Sequence, residues 1–419
     1  MTIDRLKLNR ARIATMLIFL VCGIGLASWA PMVPYAKDRM ALHEAHLGLL
    51  LLFLGCGALV TMPVAGMLIN RLGTRIVIVA AALVIAIMLP LLLLVSSATV
   101  MAVVLFVFGA GVGSIDVAMN AHGVQVQNLH GRPIMSSLHG LFSVGGLFGA
   151  LGLGFLVKLG LEPLHASLGI AILIIGIAFS QYRYFLDRRT ERAAISAFTP
   201  ISAHRAKSSQ FPWLRGNVLF LGFMCFAVFL AEGAMLDWSA VFLRDVKGVS
   251  PEFSGIGFAA FSIAMASMRL MGDSLVERWS SNLVVLTGSM VAAAGLAIAV
   301  ISPWIYLALL GYVLLGVGAA NIVPIFFSDG GRLPGISPTV SIPAITTMGY
   351  AGQLVGPAAL GFIAHHYTLS AALGLTAVLL AVVGIAYFNF SARLWQKNEL
   401  ATQPTINQDK ADSTGKTSG

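Results

Sequence analysis

Three side chains in otherwise apolar surroundings carry the titratable chemistry of this chain. They are Asp116 in FGAGVGSIDVAMNAHG (108–123), His139 in SSLHGLFSVGGLFG (136–149) and Glu232 in AEGAMLDWSAVFL (231–243). Carboxyl and imidazole groups take up and release protons, and an Asp and a His on successive antiparallel helices can share one. An isolated carboxylate at the centre of a bilayer-spanning helix costs ~3 kcal/mol on insertion scales, so such groups face a cavity or a partner. The alternative role for Asp116 and His139 is a static pin between two helices, and for Glu232 a protonated core carboxyl. Asn120, Asn321 and Gln353 lie in the same kind of run and have the donors and acceptors to read hydroxyl groups or to bond helix to helix. Trp29 and Trp238 offer flat rings that stack on a sugar or cyclitol, or that anchor at the lipid–water interface beside Asp237. Arg269 and Asp273, four residues apart, are expected to pair on one helix surface.

The elements that must position these groups are membrane helices. Of 419 residues, 58% are hydrophobic and 10% charged, with a mean hydropathy of +0.89, a composition far outside that of soluble domains. A hydrocarbon layer of about 30 Å takes roughly 20 apolar residues per helix. Twelve such runs fit, near 13–35, 46–69, 76–96, 98–122, 134–158, 164–185, 215–243, 253–272, 282–301, 304–327, 339–364 and 370–392. The expected fold is an all-α membrane protein of twelve transmembrane helices in two six-helix bundles, 13–185 and 215–392. Residues 1–12 precede the first bundle, a linker of 186–214 joins the two, and 393–419 form a polar tail expected to be disordered.

Orientation follows from charge. With the N-terminus placed in the cytoplasm, 21 of the 26 Lys and Arg fall in segments assigned inside and 5 outside, as the positive-inside rule requires. Both termini are then cytoplasmic and the expected location is a bacterial inner membrane. The same bias accounts for the net charge of +9, so no nucleic-acid partner is expected. The first apolar run reads as a span, because its cleavage as a leader would leave eleven spans and invert the charge asymmetry. Cys22, Cys56 and Cys225 all lie in apolar runs and read as small packing residues. Neither a cofactor nor a metal site is expected.

The two bundles look like copies. GVGSID (111–116) matches GVGAAN (316–321) at an offset of 205. Gly145, Leu147, Gly149, Gly154 and Phe155 recur at an offset of 207 as Gly352, Leu354, Gly356, Gly361 and Phe362. Arg71 and Arg278 are 207 apart, and Trp29 and Trp238 are 209 apart. One duplication with small insertions explains all four. It also aligns Asp116 with Asn321, an amide of nearly the same shape.

Two six-helix halves in parallel repeat, joined by a basic linker, resemble the major facilitator superfamily of secondary transporters. The resemblance runs from about Ile13 to Ser391. That family's motif after span two, G-x-L-x-D-R-x-G-R-R, reads here GMLINRLGTR (66–75), with Asn70 where Asp is usual; Arg71 and Arg75 are kept. The second half offers DSLVERWSS (273–281), where Glu277 and Arg278 keep the acid–base pair without the glycines, and the resemblance implies a cytoplasmic gate of Asn70, Arg71, Arg75, Asp273, Glu277 and Arg278. More narrowly, the stretches around Glu232 and His139, with TTMGYAGQLVGPAALGF (346–362), are similar to the branch that includes the membrane proteins MosC and YbjJ. The resemblance implies alternating access around a midplane site, with Asp116, His139 and Glu232 handling protons and Trp29, Asn120, Asp237, Trp238, Asn321 and Gln353 contacting the solute. The expected function is proton-coupled movement of a small polar solute by a monomer. An exporter of amphipathic compounds, or a non-transporting receptor on the same frame, are the alternatives. No phosphate-binding loop, GxSxG or HExxH occurs, so ATP hydrolysis and these enzymatic chemistries are not expected.

Overall fold

The computed structural model describes residues 5–41, 44–198, 212–250 and 255–402, and all regular elements among them are helical. The first half contains α1 (Arg5–Ala27), a short α2 (Val33–Arg39), α3 (Glu44–Leu72), α4 (Thr74–Leu94), α5 (Ala98–His130), α6 (Met135–Lys158) and α7 (Pro163–Gln181). A linker helix, α8 (Arg188–Phe198), follows. The second half contains α9 (Gly216–Asp245), α10 (Ile256–Trp279), α11 (Ser281–Ile301), α12 (Ile305–Ala319), α13 (Ile322–Gly330), α14 (Pro338–His366) and α15 (Leu369–Thr402).

Ten helical stretches are long and apolar enough to cross a membrane. The remaining two expected spans are α10 and α14, of 24 and 29 residues. Both carry polar groups toward the opposite half, and this lowers their hydropathy without removing them from the bundles. Packing repeats between the halves. In the first, α1 lies on α6, α3 on α5, and α4 on α5 and α7. In the second, α9 lies on α14, α10 on α12, and α11 on α12 and α15. Two seams join the halves, α3 against α14 and α6 against α10, with α13 reaching across to α5 and α6.

Glycines set the spacing within each half, because small residues let backbones approach in lipid. A Cβ on Gly109 would lie 2.0 Å from the Leu54 carbonyl oxygen, and one on Gly316 would lie 2.4 Å from that of Phe261. A Cβ on Gly111 would lie 3.3 Å from the Ala81 carbonyl oxygen, and one on Gly318 would lie 2.3 Å from that of Gly288. Each of these four residue pairs is 207 apart, as are Gly145 and Gly352, which press on α1 and α9. The packing register of the fourth and tenth spans is therefore 207, not the 205 read from GVGSID and GVGAAN. Asp116 is then related to Val323 and Asn321 to Ser114. Gly-rich letters matched at the wrong turn; the backbone contacts fix the right one.

Five features differ from expectation. α1 begins at Arg5 and α5 continues to His130, because polar residues at the end of a span can remain helical outside hydrocarbon. The tenth span is broken into α12 and α13. Pro324 has no N–H for the Ala320 carbonyl four residues earlier, so the helix stops and restarts from Asn321. The linker contains α8, which packs on α5. The expected disordered tail is helical as far as Thr402, and its remainder, 403–419, lies outside the described residues.

Candidate functional site

Asp116 and Asn120 stand one turn apart on α5, and both are buried. The Asn120 amide donates to the Asp116 carboxyl (Oδ1, 3.2 Å) and backbone carbonyl (2.9 Å). Its own Oδ1 lies 3.1 Å from His139 Nε2 on α6, so in this arrangement the imidazole donates. Asp116 and His139 thus share no direct hydrogen bond; Asn120 joins them. The imidazole is held between rings from both halves. Phe19 of α1 lies at 5.3 Å and tilted, and Phe327 of α13 at 5.6 Å with an interplanar angle of 13°.

Glu232 on α9 is not solitary. Its Oε1 accepts from Arg269 Nη2 at 3.2 Å, with side-chain exposures of 18% and 8%. Such a pair is held by its geometry and its remaining hydrogen bonds, since desolvation opposes it. Arg269 supplies both. Its Nη1 donates to Ser143 Oγ on α6 (3.1 Å), across the seam, and its Nε donates to the Ala320 carbonyl (3.2 Å). That carbonyl is the one Pro324 leaves free, so the guanidinium fills the helix break. The expected Arg269–Asp273 surface pair is therefore corrected. Both side chains turn inward, because each finds a stronger buried partner than the other.

Asp273 reaches across the same seam and accepts the backbone N–H groups of Ser136 (2.9 Å) and Ser137 (3.1 Å), first-turn donors of α6 that have no partner within their own helix. At the other seam Asn70 accepts from the Thr339 hydroxyl, and Gly66 packs on Pro343. Between the two, Gln127 Oε1 takes the Ile134 N–H (2.9 Å) and the Ser328 hydroxyl (3.4 Å), while Asn128 Oδ1 takes Arg332 Nε (2.8 Å). Glu277 and Arg132 form an exposed pair at 3.7 Å. All the hydrogen bonds described between the halves lie between the level of Arg269 and the end that carries α8. This basic end is closed.

The other expected site residues are dispersed. Trp29, just beyond α1, is 6% exposed, and neither its indole N–H nor that of Trp238 has a partner among the described residues. Trp238 packs beside Gly361 and Gln353 against Gly233, along the α9–α14 contact, while Asp237 is exposed. Asn321 caps α13 with its Oδ1 buried and unpaired, pressed on Gly272. Arg71 and Arg278 are exposed, and the Arg75 guanidinium lies 4.3 Å over the Tyr182 ring.

Sequence reasoning missed several anchors. His122 Nε2 accepts the Leu186 N–H (3.0 Å), so its Nδ1–H donates to Thr15 Oγ1 (3.0 Å), which itself donates to the Ala11 carbonyl. Glu191 of α8 accepts the Thr74 N–H (3.2 Å) and hydroxyl at the start of α4. Burial raises the Glu191 carboxyl above its ordinary range, opposed by those bonds. Tyr350 of α14 packs edgewise on Phe229, with ring centroids 5.8 Å apart. For His122 and Tyr350 the signal is their polarity within apolar runs, whereas Glu191 lies in the charged stretch RRTERAAISAF and nothing in the sequence singles it out.

Comparison with known proteins agrees with this geometry. The family model described as Major Facilitator Superfamily matches residues 6–335. An uncharacterised transporter of that type from Yersinia pestis is 44% identical over 372 residues, covering 89% of this chain and 94% of the relative. Membrane protein MosC of Rhizobium meliloti is 29% identical, covering 92% and 90% respectively. Among solved structures, the transporter FucP in its outward conformation superposes with a TM-score of 0.73 at 15% identity, covering 90% of this chain and 98% of FucP. The proton:xylose symporter XylE superposes at 0.72 with 11% identity, covering 93% and 96%.

Proposed function

The chain belongs to the major facilitator superfamily of membrane transporters, and from that premise we propose that it moves a small polar organic solute, sugar-, polyol- or cyclitol-like, by proton-coupled alternating access. The observation that carries the reading is the polar core between the halves. Asp116, Asn120 and His139 of the first half face the Glu232–Arg269 pair of the second, and Arg269 holds Ser143 across the seam. Ionisable groups are retained inside membranes where they line a pathway or relay. Two similar folds belong to proteins described as fucose:proton and proton:xylose symporters, which supports the substrate class and the coupling ion.

The basic end is cytoplasmic in this reading, both termini are inside, and the protein works as a monomer in a bacterial inner membrane. Bundles 13–185 and 215–392 rock about the core, and the closed basic end makes the structure outward-facing. Asp116 and Glu232 exchange protons, while Asn120 and Gln353 contact solute hydroxyls. Trp29 and Trp238 line the outer approach. Asn70, Arg71, Arg75, Asp273, Glu277 and Arg278 gate the inner end.

A screen of thermal stabilisation with L-fucose, D-xylose, myo-inositol and amino sugars identifies the solute, because a ligand bound only by the native state raises its melting temperature. In proteoliposomes, wild type then accumulates that solute under an imposed pH gradient. Asp116→Asn is expected to fold normally, exchange solute at equal concentrations and fail to accumulate it. Undiminished accumulation by this variant refutes the proton role.

A further inference from the structure

At the corner where α3 turns into α4, Gly73 adopts a left-handed conformation (φ +87°), and the chain opens a crevice of about 240 Å³. Three guanidiniums border it: Arg71 and Arg75 from the corner itself and Arg188 from α8. Arg75 is fixed over Tyr182, Arg188 makes one long bond to the Asn70 carbonyl (3.5 Å), and Arg71 has no partner among the described residues. The single acidic group, Glu191, is occupied by Thr74. Positive charge is therefore in excess, with donors to spare.

The crevice also has an apolar approach. Val60, Val64, Leu68 and Leu72 are exposed at successive intervals of four on α3, so they form one stripe down the helix. The stripe covers about 18 Å at 1.5 Å per residue, comparable with one leaflet of a hydrocarbon core of about 30 Å. It ends at Arg71. Ile76, on the far lip, is exposed as well. Water or a soluble anion has no use for that track; an acyl chain attached to an anionic headgroup fits both parts.

We propose that this corner binds an acidic phospholipid of the leaflet at the basic end, its phosphate on Arg71 and Arg188 and one acyl chain along the Val60–Leu72 stripe. The lipid bridges the corner of the first half to α8, and so holds the linker helix against α4. Two arginines at a membrane surface together contribute roughly ten- to thirty-fold in affinity for an acidic lipid.

The experiment uses the full chain in mixed micelles containing equal phosphatidylglycerol and phosphatidylcholine, with retained lipid counted by native mass spectrometry. Wild type is expected to retain phosphatidylglycerol preferentially, less so as ionic strength rises. Arg71→Gln with Arg188→Gln is expected to lose about ten-fold or more of that preference, while its melting temperature in phosphatidylcholine alone stays at the wild-type value. Equal retention of the two lipids by wild type, or a preference indifferent to salt, overturns the proposal without reference to the variant. An unchanged preference in the double variant overturns the site. Stabilisation by inorganic phosphate that abolishes any added effect of phosphatidylglycerol makes the crevice a free-anion site and overturns the lipid.

Discussion

The two seams occupy equivalent places on a repeated frame and are built from opposite chemistry. Where α3 meets α14, Gly66 packs on Pro343, and the neutral Asn70 accepts from Thr339. Where α10 meets α6, the positions 207 residues away from Gly66 and before Pro343 are Asp273 and Ser136, a carboxylate receiving a backbone N–H. The same holds deeper in: at that offset Arg269 stands opposite Met62, and Asp116 opposite Val323. Close glycine contacts preserve a common frame, while at these three pairs of positions charge is confined to one copy. One seam is an apolar contact with a single neutral hydrogen bond, whereas the other is held by specific charged partners.

The comparison can be broken at several points, the largest effect coming first. Arg269→Ala should destabilise by about 3–5 kcal/mol, because it strands a buried Glu232 and the Ala320 carbonyl; thermal unfolding in detergent measures it. Giving the pair the apolar character of the first half, with Arg269→Met and Glu232→Leu together, should recover most of that loss, since apolar replacement of a buried pair is often neutral, while accumulation driven by a pH gradient stays absent. A double variant as unstable as Arg269→Ala would show that Ser143 and Ala320, and not the stranded carboxylate, dominate. At the smooth seam, Gly66→Val places a Cβ 2.6 Å from Pro343 and should cost about 1–3 kcal/mol of overpacking. The closed basic end is then lost, seen as faster labelling of a cysteine at Ser328.

Asp273→Asn keeps one acceptor, so the loss at the charged seam should be about 1–2 kcal/mol. The same labelling should speed less than in Gly66→Val. The smallest effect concerns α8. Burial raises the Glu191 carboxyl from its ordinary 4.5, so the folded state favours its protonated form. Its contribution to docking is full below 4.5 and falls as pH climbs through its raised range. Hydrogen exchange of α8, corrected for intrinsic rates, should quicken over that window in wild type and remain flat in Glu191→Gln.

Much of the frame was legible. Hydropathy located the twelve spans because lipid demands continuous apolar length, and the repeat appeared because close-packed helices keep their glycines. The register of the fourth and tenth spans was misread by two residues, since glycine letters recur every few positions and only backbone contacts choose among them. The break at Asn321 was hidden because Pro324 is embedded in an apolar run whose hydropathy does not falter. In the site, Asp116, His139 and Glu232 were conspicuous by the cost of burying them. Their partners were not. Arg269 pairs with a residue 37 positions away, and local spacing suggested Asp273 instead. Asn120 as the link between Asp116 and His139 required the relative rotation of α5 and α6, which no spacing specifies.

The linker's two anchorages have a mechanical consequence. Its beginning is fixed to the first half by His122 at Leu186 and by Glu191 at Thr74, and its far end to the second half where Arg215 donates to the Gly335 carbonyl. α8 is therefore part of the first bundle, and the chain between the two anchored parts runs from Phe198 to Pro212. About fourteen peptide units reach at most roughly 45–50 Å when extended. At that length the covalent connection sets only an upper bound on the distance between Phe198 and Pro212, and the position of α8 is left to its own anchors at Thr74 and Leu186.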